Sequence, residues 1–173
     1  IPGTELRLSP DQTVYIINLN GEEAQRVLAL TADGARSAFE CSVSCIGGKT
    51  CQVGVRDSQG LLSACVEAVR AAGVPDGALP QMYISGCMSS CGTHQTGVIG
   101  LRGASKLVDG KPQSAFALFV HGESRQGGET MGRELGTILE SRVPEFVVEL
   151  GKTVAAGGLS FADWNAQNPD GLE

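Results

Sequence analysis

The sequence predicts an α/β (α+β) fold, a mixed sheet flanked by helices, with a short β-β-α arm in front. Three observations carry that expectation. Short runs rich in β-branched residues, such as Val14-Tyr15-Ile16-Ile17, alternate with stretches of helical periodicity. Glycine, proline and Asn/Asp-Gly pairs punctuate the boundaries between them. Hydrophobic residues make up 42% of 173 residues, enough to build a packed interior without staples.

Taken in order, residues 4–8 alternate like a half-buried strand, and 9–12 (Ser-Pro-Asp-Gln) read as a turn. Residues 14–19 form a second, more buried strand, and Asn20-Gly21 ends it. Residues 22–32 suit a helix with Asn20 as its cap and acidic residues in its first turn. Residues 37–51 break into small side chains, among them Ser42, Ser44, Gly47 and Gly48. Val53, Leu61, Leu62, Cys65, Val66 and Val69 favour a helix to residue 72, secure from Ser58 onward, which Gly73 and Pro75 terminate. Cys65 lies on its apolar face and reads as a small buried hydrophobe. Strands are expected at 81–85 and 97–102, and a hairpin joins 106–108 to 115–120 through a turn at 109–112 (Asp-Gly-Lys-Pro). Gly127-Gly128 then precedes a helix expected over 130–140, capped by Thr130, where the glycine pair is open to an anionic group. Pro144 opens an amphipathic helix over 143–155, and a helical turn around Phe161 and Trp164 leads into a polar tail. The expected division is residues 1–36 for the arm and 37–173 for the main domain.

Charge and composition narrow the function classes. A net charge of −6 and a pI near 4.9 exclude nucleic acid as a main partner, because phosphate binding needs a basic face. No apolar run approaches the ~20 residues of a membrane span, and no signal-peptide pattern opens the chain, so a cytoplasmic location, or an organelle stroma, is expected. The start Ile1-Pro2-Gly3, without methionine, suits a processed or excised chain.

Six cysteines are many for such a chain, and four form two local pairs: Cys45-x5-Cys51 and Cys87-x3-Cys91. Disulfides stabilise most by closing long loops, and this chain can build a core without them. Structural zinc favours thiols spaced by two to four residues twice over, which only the second pair satisfies. Iron–sulfur clusters take four thiolates from distant parts of a chain. Gly47, Gly86 and Gly92 beside the thiols permit tight loops whose amides point at sulfur.

In finer grain these residues resemble a known family. Cys45-Ile-Gly47, the loop Ile84-Ser-Gly86-Cys87 with Ser90-Cys91-Gly92, and the glycine-bearing segment Gly97 to Gly103 are similar to the cluster motif of nitrite and sulfite reductases that couple sirohaem to a 4Fe–4S cluster. The opening strands and Phe161-Ala-Asp-Trp164 resemble the C-terminal half of that family. The family often carries Pro-Asn where this chain has Met88-Ser89, and Cys41 adds a further thiol before the first pair. The resemblance implies a nitrite/sulfite reductase 4Fe–4S domain-like fold over 37–173, and an arm that is part of a ferredoxin-like half-domain over 1–36. It implies Cys45, Cys51, Cys87 and Cys91 as cluster ligands, with Cys91 bridging to the sirohaem iron. Gly47, Gly86, Gly92, Arg102 and Lys106 become cofactor-contacting candidates, with Lys49 and Arg125 as further cations for sirohaem carboxylates. No residue of this chain is assigned a catalytic role. His94 reads as a satisfied histidine, and His121 and Cys41 as spectators. The implied partners are the N-terminal half of the same reductase or an equivalent subunit, sulfite or nitrite, and an electron donor such as ferredoxin or a flavoprotein. The alternatives are a stand-alone iron–sulfur electron-transfer module and, more remotely, a zinc scaffold.

Overall fold

In the computed structural model, which describes residues 1–9, 12–32 and 34–172, the chain divides into two units, Ile1–Arg36 and Ser37–Glu173. The first begins with an antiparallel hairpin of β1 (Glu5–Leu8) and β2 (Val14–Ile17), paired from Glu5↔Ile17 to Leu8↔Val14. Helix α1 (Gly21–Leu30) follows. Its start is fixed by a reciprocal capping box: the Asn20 side chain accepts the Glu23 N–H at 3.0 Å, and the Glu23 carboxylate accepts the Asn20 N–H at 2.9 Å. β2, expected to be the more buried strand, leaves Val14 and Tyr15 about half exposed, at 51% and 55%. Two short strands and one helix have too little surface between them to enclose a face. Of the turn expected at 9–12, Pro10 and Asp11 lie outside the described residues; Gln12 N–H donates to Ser9 O at 3.1 Å.

The second unit is built on a five-stranded sheet in the order β3-β4-β5-β6-β7. Its strands are β3 (Val43–Ser44), β4 (Met82–Ser85), β5 (Ile99–Val108), β6 (Lys111–Val120) and β7 (Arg133–Leu139). The first three are parallel and the last pairings antiparallel. Helix α2 (Ser58–Ala72) is the crossover between β3 and β4. It places Leu61, Cys65 and Val69 at four-residue spacing on its buried face, and Gly73 ends it in the left-handed conformation (φ 64°). Helix α3 (Val143–Ala156) carries Pro144 in its first turn and buries Val143, Val147, Leu150 and Val154. These stripes join Met82, Ile84, Ile99, Leu101, Phe116 and Val120 from the sheet in one core. Each such side chain stabilises the unit by roughly 1.5–3 kcal/mol relative to exposure. Helix α4 (Phe161–Gln167), capped by Ser160, adds Phe161 to that core.

In the second unit three segments differ from expectation. Residues 130–140 do not form a helix; they contain β7, antiparallel to β6. Thr130 therefore caps nothing. Its N–H and C=O exchange hydrogen bonds with Glu123, both 3.0 Å, and Gly127-Gly128 lead into a bridge instead of a helix start that could receive an anion. The pairing passes from Phe119↔Glu134 to Leu118↔Gly136, so Leu135 is the extra residue of a β-bulge. The bulge breaks the period-two alternation by which a strand is recognised. The hairpin turn is tighter than expected, a two-residue turn at Asp109-Gly110, both with positive φ (51° and 73°). Lys111 and Pro112 belong to β6, and Pro112 is tolerated because β7 pairs with β6 only from Ala115 onward. Finally, 97–102 and 106–108 are not separate: from Ile99 on they are one continuous strand, β5.

Candidate functional site

Because β3 and β4 run parallel and side by side, the loops leaving their carboxyl ends emerge at the same edge, the crevice where open α/β sheets hold ligands. Residues 45–57 lead from β3 into α2, and residues 86–98 cross from β4 to β5. The thiols lie on these two loops. Cys45, Cys51, Cys87 and Cys91 all line one cavity, whose void is about 40 Å³ and whose empty space, open mouth included, is about 310 Å³.

Backbone hydrogen bonds stitch the loops together. Cys45 N–H donates to Ile84 O, and Val55 and Arg56 N–H both donate to Gly86 O, each at 3.0 Å. Within the first loop Gly48 N–H reaches Arg56 O at 2.7 Å and Cys51 N–H reaches Gly47 O at 2.9 Å. Glycine is required where the loops touch. A Cβ at Gly86 would sit 2.6 Å from Arg56 O, and one at Gly47, whose φ is +71°, would sit 2.7 Å from Ser58 N. Gly92, unlike Gly47 and Gly86, does not line the cavity; its N–H donates to Ser85 Oγ at 3.1 Å.

The thiols differ in surroundings. Cys45 Sγ accepts the Gly86 N–H at 3.1 Å and has Ser58 Oγ at 3.2 Å. Hydrogen bonds from the Ser89 side chain, then from its backbone, lower the Cys87 pKa below the ordinary thiol value and favour thiolate. Cys91 is exposed, with Sγ 3.9 Å from Ser89 O. Cys65 is fully buried in the core, where desolvation pushes its pKa up to about 12, so it is inert. Cys41 is exposed, in a 3₁₀ turn (Phe39–Cys41) away from the cavity. Among the described residues no three His, Cys, Asp or Glu side chains come close enough to hold one metal ion.

Three of the four cations named from the sequence have partners of their own. Arg102 pairs with Glu134 at 3.1 Å, its guanidinium 5.1 Å from the Phe119 ring centroid. Lys106 Nζ donates to Thr137 O at 3.0 Å, and Lys49 pairs with Asp57 at 2.7 Å. Neither these nor Arg125 lines the thiol cavity, and His121 follows β6 with a φ of 64°.

His94 is buried, 1% exposed, in a 3₁₀ turn (His94–Thr96). Its Nδ1 lies 3.0 Å from Ser85 Oγ and 3.4 Å from Ser90 Oγ, and its ring meets Phe119 edge-on at 4.8 Å. Desolvation, and secondarily the charge of Arg102, lower its pKa to about 4, leaving a neutral imidazole beneath the second loop. Sequence reasoning missed three residues around the loops: Ser58, Ser85 and Arg56, whose Nε is buried with no hydrogen-bond partner among the described residues. Ser58 carried a signal as the residue after a capping aspartate at the start of a helical stripe, and Ser85 stood inside the motif Ile84-Ser-Gly86-Cys87.

No family model matches the chain, and no curated protein sequence does. Among solved structures the chain is similar to the NirA protein of Mycobacterium tuberculosis, with a TM-score of 0.68 at 18% identity. The match covers 84% of this chain and 29% of that one, so this chain corresponds to under a third of its neighbour's length. At that identity the likeness is one of fold: a mixed five-stranded sheet flanked by helices, as in NirA.

Proposed function

We propose that this chain is the cluster- and sirohaem-binding C-terminal portion of a sirohaem-dependent sulfite or nitrite reductase. The observation that carries the reading is the gathering of Cys45, Cys51, Cys87 and Cys91, from two loops at adjacent parallel strand ends, around one cavity. The cysteine motifs' resemblance to that family and the fold shared with NirA support it.

The donor set fits a 4Fe–4S cluster: four cysteines, glycines where a Cβ would collide, and an amide N–H aimed at sulfur. When bound, the cluster and sirohaem supply the one-electron steps by which sulfite or nitrite takes up six electrons. The chain's own part is to hold, orient and exclude water. Cys45, Cys51, Cys87 and Cys91 would hold the cluster, and Cys91, which is exposed, would also bridge to the sirohaem iron. Ile46, Val53, Val55 and Met88 stand exposed on the thiol loops and would pack against the flat macrocycle or the missing half of the reductase. The oxyanion and an electron donor such as ferredoxin or a flavoprotein would meet the assembled enzyme, not this portion alone.

One observation favours a second reading, an iron–sulfur electron-transfer module that never binds sirohaem. Sirohaem carries many carboxylates, yet no Lys or Arg lines the thiol cavity. Anaerobic reconstitution with iron and sulfide, followed by visible absorption with and without added sirohaem, separates the two. A broad cluster band plus red-region tetrapyrrole bands is the expected result; the cluster band alone selects the second reading, and a colourless protein defeats both. Cys51→Ser and Cys87→Ser are expected to abolish iron retention while Cys65→Ser leaves it intact. Equal loss in all three variants would refute the ligand assignment.

A further inference from the structure

We propose that Ser58 tunes the electron affinity of the thiol centre by donating its hydroxyl hydrogen bond to the Cys45 sulfur. The inference rests on reading the cavity as an iron–sulfur site.

Ser58 is fully buried, at 0% exposure, and opens α2 directly after its capping residue Asp57. Asp57 is itself tied down, accepting the Gly60 N–H at 3.0 Å and pairing with Lys49 of the first thiol loop. The Ser58 hydroxyl therefore has a fixed seat. From it, Oγ reaches two acceptors on one residue, Cys45 O at 2.7 Å and Cys45 Sγ at 3.2 Å. A hydroxyl has one proton to give. Against a neutral thiol the carbonyl is the stronger acceptor. Against a thiolate the balance moves to sulfur, because a hydrogen bond to an ionised acceptor is roughly twice as strong as a neutral one. Only a rotation of the hydroxyl is needed, with no movement of α2. Gly86 N–H already donates to the same sulfur from the other loop, so Cys45 can be held by two donors from two elements.

The redox consequence follows from where charge goes. With a cluster bound, its reduction would take one electron from a low-potential one-electron donor, with no covalent bond formed or broken and the proton kept on Ser58 Oγ. The added charge would be shared by the sulfurs, so the Ser58 hydroxyl donating to Cys45 Sγ would stabilise the reduced state more than the oxidised state and raise the potential. Cys45 thereby becomes the thiolate through which the protein sets the potential, distinct from the exposed Cys91.

The test compares wild type, Ser58→Ala and Ser58→Thr in the full chain, reconstituted anaerobically with iron and sulfide and titrated with dithionite while cluster absorbance is followed. Ser58→Ala is expected to retain wild-type iron and to be harder to reduce by about tenfold, which is 59 mV for one electron. Ser58→Thr, which keeps the hydroxyl, is expected to restore the wild-type value. An unchanged potential in an iron-replete Ser58→Ala overturns the proposal. So does an equal drop in both variants, which would follow packing instead of the hydroxyl, or loss of iron from both with native circular dichroism, which would make the residue structural. A wild-type chain that takes up no iron removes the iron–sulfur reading itself, a separate outcome visible before any variant is compared.

Discussion

A buried histidine that stays neutral ties stability to pH. His94 has a folded pKa of about 4, against the ordinary 6.5 once the chain unfolds and burial is lost. Above pH 6.5 neither state binds the proton and His94 contributes no pH dependence. Between about 6.5 and 4 the unfolded chain binds a proton that the folded chain refuses, so stability falls as pH falls, by at most about 1.4 kcal/mol per unit. Below about pH 4 both states are protonated and the loss levels off. Trp164 is the chain's single tryptophan, and its fluorescence reports urea unfolding of the second unit. The wild-type midpoint is expected to drop between pH 7 and pH 5, and His94→Gln, which cannot titrate, to drop less. Equal drops would show that the imidazole is not the group responsible. The example also marks what the sequence disclosed at this scale. The two cysteine pairs were legible from their spacing, and the family motif they resemble singled out all four thiols. The residues behind them were not: Ser85 meets His94 across nine positions, and Ser58 meets Cys45 across thirteen, through folds of the loop that leave no periodic trace.

At the scale of elements, legibility followed periodicity. The stripes of α2 and α3 and the Asn20 cap of α1 were readable because their apolar and capping positions recur at helical spacing. β7 was not, since Met131, Arg133, Glu134 and Leu135 suit a helix and the bulge at Leu135 removes the strand period that would compete. β3 escaped because two residues at a sheet edge carry no pattern at all. The junction of the two thiol loops depends on one backbone approach, which gives an element-scale prediction. Gly86→Ala places a methyl group 2.6 Å from Arg56 O, within contacts that cannot yield without parting the loops. Overpacking of this kind costs about 1–3 kcal/mol, and here the strain falls on the thiol cavity. Gly86→Ala is expected to lower the urea midpoint and to lose iron after reconstitution. Gly136→Ala, where a Cβ meets nothing within 4 Å, is expected to keep its iron. Full iron retention by Gly86→Ala would show that the loops do not need that approach.

At the scale of the whole molecule, the two units are unequal in what they bury. The core cluster runs from Phe39 to Leu172 and draws every member from the second unit. The first unit has no buried residue in α1, and Leu6, Leu8, Val14, Tyr15, Leu28 and Leu30 all stand exposed. A ten-residue helix beside one hairpin is below the size at which either is stable alone in water. Residues 37–173, with a continuous core, satisfy the condition for an independent domain. No described helix is long and apolar enough to cross a membrane. The expected outcome of separating the units is therefore asymmetric. A chain of residues 37–173 should unfold by Trp164 fluorescence within about 0.5 kcal/mol of the full chain. It should also take up the same iron per molecule and associate with itself less on gel filtration. A peptide of residues 1–36 should show little helix or strand by circular dichroism. If the excised domain failed to fold, or the peptide folded alone, the stabilising surface would lie in the arm and the asymmetry between the units would be reversed.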